Sequence, residues 1–276
     1  MLCAALLAFL IAVASHDQAA AQGPRIASIN VCTDQILLKV ADPDQILGLS
    51  PYSRDAVRSW AAADAARFPK LSGEAEDILV LKPDFVVAGR FTRRATRELL
   101  KEKGVRVEEF DTVRSLNDAR AQMRRMGQLA GHPDRAQAEI AKLDAAVART
   151  RALAAQKPLR VLALSRRGWV SGSEGLMTSL LTEVGLANAA AGLGIRNGGF
   201  ASLEAIVNLK PDLLLLSDGG DGAEDQGKAF LLHPALQQLY PPEKRIVVPE
   251  RLTVCGGPML AEALDRLTAE LARAGR

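Results

Sequence analysis

The sequence predicts an α/β protein: two α/β lobes with parallel-type sheets, joined by a long backbone helix. Three observations carry this expectation. The stretch EDILVLKPD at 76–84 returns as EAIVNLKPD at 204–212, with six identities in nine positions, 128 residues apart. Short apolar runs alternate with helical stretches on both sides of the chain's middle, the pattern of a parallel sheet covered on both faces. Between the two alternating regions, residues 115–157 hold no convincing strand.

The chain opens on MLCAALLAFLIAVAS, about a dozen apolar residues followed by HDQAAA. That run is too short to span a bilayer, and Ala19, Ala20 and Ala21 supply the small residues before a signal-peptidase cut. Residues 1–21 are therefore expected to be a cleaved export signal, which places the mature protein in the periplasm. No basic residue precedes Arg25, which suggests a translation start upstream of Met1.

Residues 24–114 form the expected first lobe. Ile26–Ile29 reads as a strand, Asp34–Val40 as a helix and Ile46–Leu49 as a second strand. Ile78–Leu81 is a short helix stopped by Pro83, which lacks the N–H a helix interior needs. Phe85–Ala88 is a strand, Thr92–Lys103 a helix ended by Gly104, and Val105–Phe110 another strand. Residues 115–157 read as two linking helices broken at GHPD, where Pro133 suits a first helical position. Ala136, Ile140, Leu143, Val147 and Ala154 make one apolar stripe. Residues 158–276 form the second lobe: strands at Val161–Leu164, Leu213–Leu216 and Ile246–Val248, helices at Leu176–Val184, Leu203–Leu209 and Met259–Arg273. LKPD thus marks the same helix-to-strand corner in each lobe.

Formal charge is +3, with basic and acidic residues interspersed, so nothing points to nucleic acid. In open parallel sheets ligands bind beyond the carboxyl ends of the strands. Arginines recur there: Arg54, Arg90, Arg166, Arg167 and Arg251. Guanidinium forks suit carboxylate, phosphate or catecholate oxygens, so an anionic metal chelate is the expected ligand. Tyr52, Phe91, Trp169 and Phe200 add stacking surface. Several candidates are decoys. SGSEG at 171–175 lacks the frame of a nucleophile elbow. GLGIRNGG misses the dinucleotide fingerprint by one residue and follows a helix. His16, His132 and His233 have no metal-ligand spacing. SDGGDG at 217–222 resembles a calcium loop only in composition and reads as a cleft loop.

At this point the chain resembles the periplasmic iron-siderophore and vitamin B12-binding proteins of ABC importers. The resemblance spans residues 24–276 and rests on PRIASINVCTDQILLKVADPDQILGLSPYSRD, EDILVLKPDFVVAGR and SLEAIVNLKPDLLLLS. It implies capture of an iron chelate (siderophore or haem) or a corrinoid between lobes, with little hinge motion, and delivery by a monomer to an inner-membrane permease. It implies no catalysis, and no cofactor. The expected ligand-binding residues are Asn30, Cys32, Thr33, Tyr52, Arg54, Arg90, Arg166, Trp169, Phe200, Arg251 and Cys255. Glu76 and Glu204 match the surface glutamates with which the family docks on its permease. An acidic residue near a helix start also favours the helix dipole, a plainer role for both. Tyr52 falls where the B12-binding protein has a ligand-contacting tyrosine, but Lys70 and Gly198 stand near the positions of its flanking tryptophans. Cys32 and Cys255 are expected on facing walls of the cleft as free thiols, since a bridge would nearly shut its mouth. The rival reading is a hydrolase or reductase acting on a metal chelate in that cleft.

Overall fold

The computed structural model describes residues 23–155, 158–217 and 229–275. The expected export signal and most of the SDGGDG loop lie outside them. The first half forms four parallel strands, β1 (Ile26–Ser28), β2 (Ile46–Gly48), β3 (Phe85–Gly89) and β4 (Val107–Phe110), in the order β2-β1-β3-β4. Alternate residues of β3 enter different cores. Phe85 and Val87 pack toward α1 (Val31–Val40), whereas Val86 and Ala88 pack toward α3 (Ala75–Leu81) and α4 (Arg94–Glu102). Burial on both faces is why the strand reads as an unbroken apolar run. Helix α1 starts three residues earlier than its apolar pattern suggests. The Asn30 side chain caps it by accepting the Cys32 N–H at 2.9 Å.

Helices α5 (Leu116–Ala130) and α6 (Pro133–Ala154) link the halves. Ser115 and Asp118 form a reciprocal capping box at the start of α5, and Gly131, at φ 82°, ends it. Helix α6 has 22 residues, about 33 Å at 1.5 Å each. Its predicted stripe is buried, with α1 and α5 on one side and α10 (Met259–Ala274) on the other. One apolar core therefore runs through both halves.

The second sheet departs from the parallel-only expectation. Strands β10 (Arg245–Val247), β9 (Leu213–Leu216) and β5 (Arg160–Leu164) are parallel, and β7 (Ala187–Asn188) also pairs with β5 in parallel. Beyond β5, β6 (Trp169–Val170) and β8 (Gly199–Phe200) run antiparallel. The tight turn into β6 places Arg167 at φ 60° and Gly168 at φ 80°. A Cβ on Gly168 would lie 2.6 Å from the Ala201 carbonyl oxygen, so only glycine lets the chains approach. Helices α7 (Leu176–Glu183), α8 (Leu203–Leu209) and α9 (Pro234–Leu239) complete this half, as the short α2 (Ala62–Ala65) does the first.

The repeated LKPD corners are one device built twice. Lys82 and Lys210 both adopt the left-handed conformation (φ 48°, ψ 59° and φ 49°, ψ 58°) at the C-termini of α3 and α8. The arginine that precedes the neighbouring strand clamps each corner. Arg25 donates to the Leu81 and Lys82 carbonyls at 2.9 and 3.1 Å, and Arg160 donates to those of Leu209 and Lys210 at 3.2 and 3.4 Å. Asp84 and Asp212 close each corner by accepting the backbone N–H of Arg25 and Arg160, at 2.6 and 2.7 Å. A helix whose last carbonyls would be orphaned is thereby tied to the start of a strand. It follows that α3 and α8 point their N-termini toward the carboxyl ends of the strands.

Candidate ligand cleft

Two adjoining cavities occupy the carboxyl ends of the strands. One, of about 310 Å³, lies in the second lobe against Leu164, Ser165, Leu215 and Ser217, at the ends of β5 and β9. The other, of about 190 Å³, lies in the first lobe against Asn30, Gly89, Phe110 and Asp111, at the ends of β1, β3 and β4. Val254, half exposed, lines both and divides them. A larger cavity, of about 920 Å³, sits among Leu159, Asp212 and Tyr240 at the opposite ends of the second-lobe strands. Ligands of such sheets bind at the carboxyl ends, so the divided cleft is the candidate site.

The aromatic wall belongs to the second lobe. Trp169 and Phe200 pack edge to face, with ring centroids 5.1 Å apart, and Trp169 lines the cavity. Gly198, at φ 91°, makes room for the indole: a Cβ there would lie 2.6 Å from the ring. Arg114, itself outside the lining, donates at 2.7 Å to the carboxamide oxygen of Asn197, which lines the cavity of about 310 Å³.

The expected residues divide into three groups. Asn30, Cys32, Thr33, Arg90, Trp169 and Cys255 line the two cavities. Thr33 is buried and holds the floor, its hydroxyl donating to the Asn30 carbonyl at 2.9 Å and meeting Ser28 Oγ at 2.8 Å. Phe200 and Tyr52 are exposed and line neither cavity; Tyr52 stacks under the Arg58 guanidinium at 4.9 Å. The remaining arginines do not line either cavity among the described residues. Arg54 donates to the Phe68 carbonyl. Arg166 lies on the β5–β6 turn, and Arg251 on a 3₁₀ turn after β10. Glu174, Asn197, Glu250 and Thr253 line the cavity as well, and sequence reasoning did not single them out; Glu250 and Thr253 fall in the same strand end, 250–255, as Arg251 and Cys255.

The expectation of free thiols is wrong. Cys32 and Cys255 form a disulfide, with Cα atoms 5.3 Å apart. Its premise fails as well, because the cysteines do not face each other across the cleft. The segment leaving β10 for α10 dips onto the first lobe, where a Cβ on Gly256 would lie 2.2 Å from the Val113 side chain. Gly257 also approaches the first lobe, 3.1 Å from Ile36 by the same measure. Both cysteines thus line the first-lobe cavity together.

Two residues on from Cys32, Asp34 is fully buried, accepting the Ser50 hydroxyl at 2.5 Å and the Ser50 N–H at 3.2 Å. Burial pushes its carboxyl up to about 7, with the serine hydrogen bonds opposing. Glu76 and Glu204 are exposed, each the second residue of its helix, and so lie on the cleft rim. The Glu204 carboxyl is held below its ordinary value by its own backbone N–H, then by Ser202, with the His233 ring a smaller contribution. No three His, Cys, Asp or Glu side chains converge as metal ligands among the described residues.

Comparison with known proteins accords with this geometry. A family described as periplasmic binding protein matches residues 26–241. No curated protein sequence matches the chain. Among solved structures, the periplasmic heme-binding protein RhuT from Roseiflexus sp. RS-1 is similar in fold at a TM-score of 0.70. It is 23% identical, over 92% of this chain and 100% of that one. A periplasmic heme-binding protein from Pseudomonas aeruginosa gives 0.69 at 22% identity, over 90% and 92%. The periplasmic vitamin B12-binding protein BtuF of Vibrio cholerae gives 0.67 at 16% identity, over 92% and 99%.

Proposed function

Because this chain belongs to the periplasmic binding protein family, we propose that it captures an iron chelate, haem or a corrinoid between its lobes and delivers it to an ABC permease. The observation that carries this reading is the divided cleft at the carboxyl ends of both sheets, lined by Trp169 and by the Cys32–Cys255 bridge. The protein acts in the periplasm, as a monomer, after removal of residues 1–21. No helix among the described residues is long and apolar enough to cross a membrane. The rival reading, an enzyme working on a chelate, finds no support, since the family is one of binding proteins.

Delivery requires docking, and Glu76 with Glu204 is the proposed pair of anchors. Each is exposed at the cleft end of a short helix, and the clamped corners fix each helix to its sheet. One exposed ion pair contributes about 0–1 kcal/mol, but two acting together in a desolvated interface also set orientation. The double variant Glu76→Ala/Glu204→Ala should bind ligand and melt nearly as the parent does, yet lose stimulation of permease ATPase activity and uptake. Normal uptake would sink the docking role. A role confined to the helix dipole predicts the reverse: intact transport with a stability loss of a few tenths of a kcal/mol.

A further inference from the structure

We propose that the chelate this cleft selects carries no net negative charge, and that its cationic or N–H-bearing periphery faces Trp169 and Glu250. The inference rests on the binding-protein reading and names the ligand class within it. It reverses the expectation, drawn from arginines near strand ends, of an anionic ligand.

The charges on the cavity walls decide the matter. Among the described residues, the lining carries one cationic side chain, Arg90, against three carboxylates, Asp111, Glu174 and Glu250. Arg90 is already paired with Asp111 at 3.0 Å. Glu174 is paired at 2.6 Å with Arg196, an exposed residue outside the wall. That leaves Glu250, exposed and lining the cavity of about 310 Å³, with no ion pair among the described residues. Of the other arginines, Arg54 donates to the Phe68 carbonyl and Arg58 meets Asp55 and the Tyr52 ring, while Arg167 and Arg251 line neither cavity.

Trp169 lines the same chamber as Glu250. An aromatic face beside an unpaired carboxylate attracts an ammonium or a ring of amide N–H donors, through quadrupole and charge together. The same pair repels a polyanion, whose shed water no guanidinium among the cavity's described lining residues replaces. Such selectivity acts chiefly by discrimination between ligands of similar size.

The test is a titration of tryptophan fluorescence in the mature protein with four probes. They are ferric desferrioxamine B, which keeps a free ammonium; uncharged cyanocobalamin; trianionic ferric enterobactin; and haemin, with its two carboxylates. The tightest binder is expected to be one of the first two, by at least roughly tenfold over either anion, or about 1.4 kcal/mol. Affinity for the ammonium-bearing chelate should fall as salt rises toward 0.5 M, where the screening length shrinks to a few ångströms. Glu250→Gln should weaken it roughly three- to tenfold and cyanocobalamin, which meets the carboxylate only through amide N–H groups, by less, while Glu250→Lys should favour the anions. If an anionic probe binds tightest and Glu250→Gln changes nothing, the charge inference is overturned while the binding function stands. If none of the four binds, that function falls and this inference with it.

Discussion

The two lobes are alike at one end and unlike at the other. At the amino ends of the strands each carries the same corner, a left-handed lysine, a proline and an aspartate, gripped by the arginine at the start of the neighbouring strand, β1 or β5. At the carboxyl ends they diverge. In the first lobe, β1 passes through the Asn30 cap straight into α1. In the second, β5 passes into a tight turn and an antiparallel addition that presents Trp169 and Phe200. The corner that holds a helix to its sheet is independent of ligand and has been kept. The end that meets ligand has been rebuilt, and the lobes now supply different chemistry to one cleft.

What joins the unlike ends is the Cys32–Cys255 bridge, which closes a loop across 223 residues. Breaking it is the harshest way to disturb the comparison. Loop-closure entropy puts a bridge of this span near the top of the usual range of about 2–5 kcal/mol. Cys32→Ala/Cys255→Ala should therefore melt roughly 8–20 °C lower, at about 2–4 °C per kcal/mol for a protein of this size. Circular dichroism melts of the parent, the double variant and the reduced parent check this. An unchanged midpoint would show that α6 and its packing hold the lobes without the staple.

The lobes also treat buried carboxylates differently. Glu270, on α10 in the second, is paired with Arg266 and Arg273 at 3.0 and 2.8 Å. Asp34, in the first, meets serine groups. Its carboxyl is raised from 3.8 to about 7, so the folded chain holds this proton more tightly than the unfolded chain. Stability from this group is therefore full below about pH 4, falls as pH rises toward 7, and is flat above. Asp34→Asn should remove that slope, gaining on the order of a few kcal/mol over the parent at pH 8 and little at pH 4. Urea unfolding at both pH values measures it, and an identical slope in both proteins would contradict the account.

The sequence revealed the repeated corner and the long helix because both rest on local patterns. LKPD is contiguous, and the stripe of α6 recurs at helical spacing over 22 residues. Strands β6 and β8 escaped notice because two residues each carry no periodicity. Arg25 and Arg160 were passed over although they precede strands in matching positions, because their partners lie about 50–60 residues away. Cavities do lie at the strand ends where the sequence put the cleft, but of the expected arginines only Arg90 lines them among the described residues. Position at a strand end fixes where an arginine's backbone sits, but Arg54 shows that its fork can turn to a nearby carbonyl instead.

The smallest effect tests whether the two corners are truly one device. Lys82 and Lys210 hold left-handed backbone that costs an L-residue about 1–2 kcal/mol, while glycine adopts it freely. Glycine gives back part of that gain through the greater entropy of its unfolded chain, about 0.5–1 kcal/mol. Lys82→Gly and Lys210→Gly should each stabilise by roughly 0.5–1 kcal/mol, by equal amounts, since their dihedrals agree to within a degree or so and the same two carbonyls are clamped in each. Denaturant midpoints of the two single variants provide the measure. The Arg25 contacts are the shorter, at 2.9 and 3.1 Å against 3.2 and 3.4 Å for Arg160. A clamp that depended on the lysine side chain would make either change destabilising, more so at Lys82. Gains of like size at both positions would establish that the repeat preserves a backbone turn, with the lysine side chains free to vary.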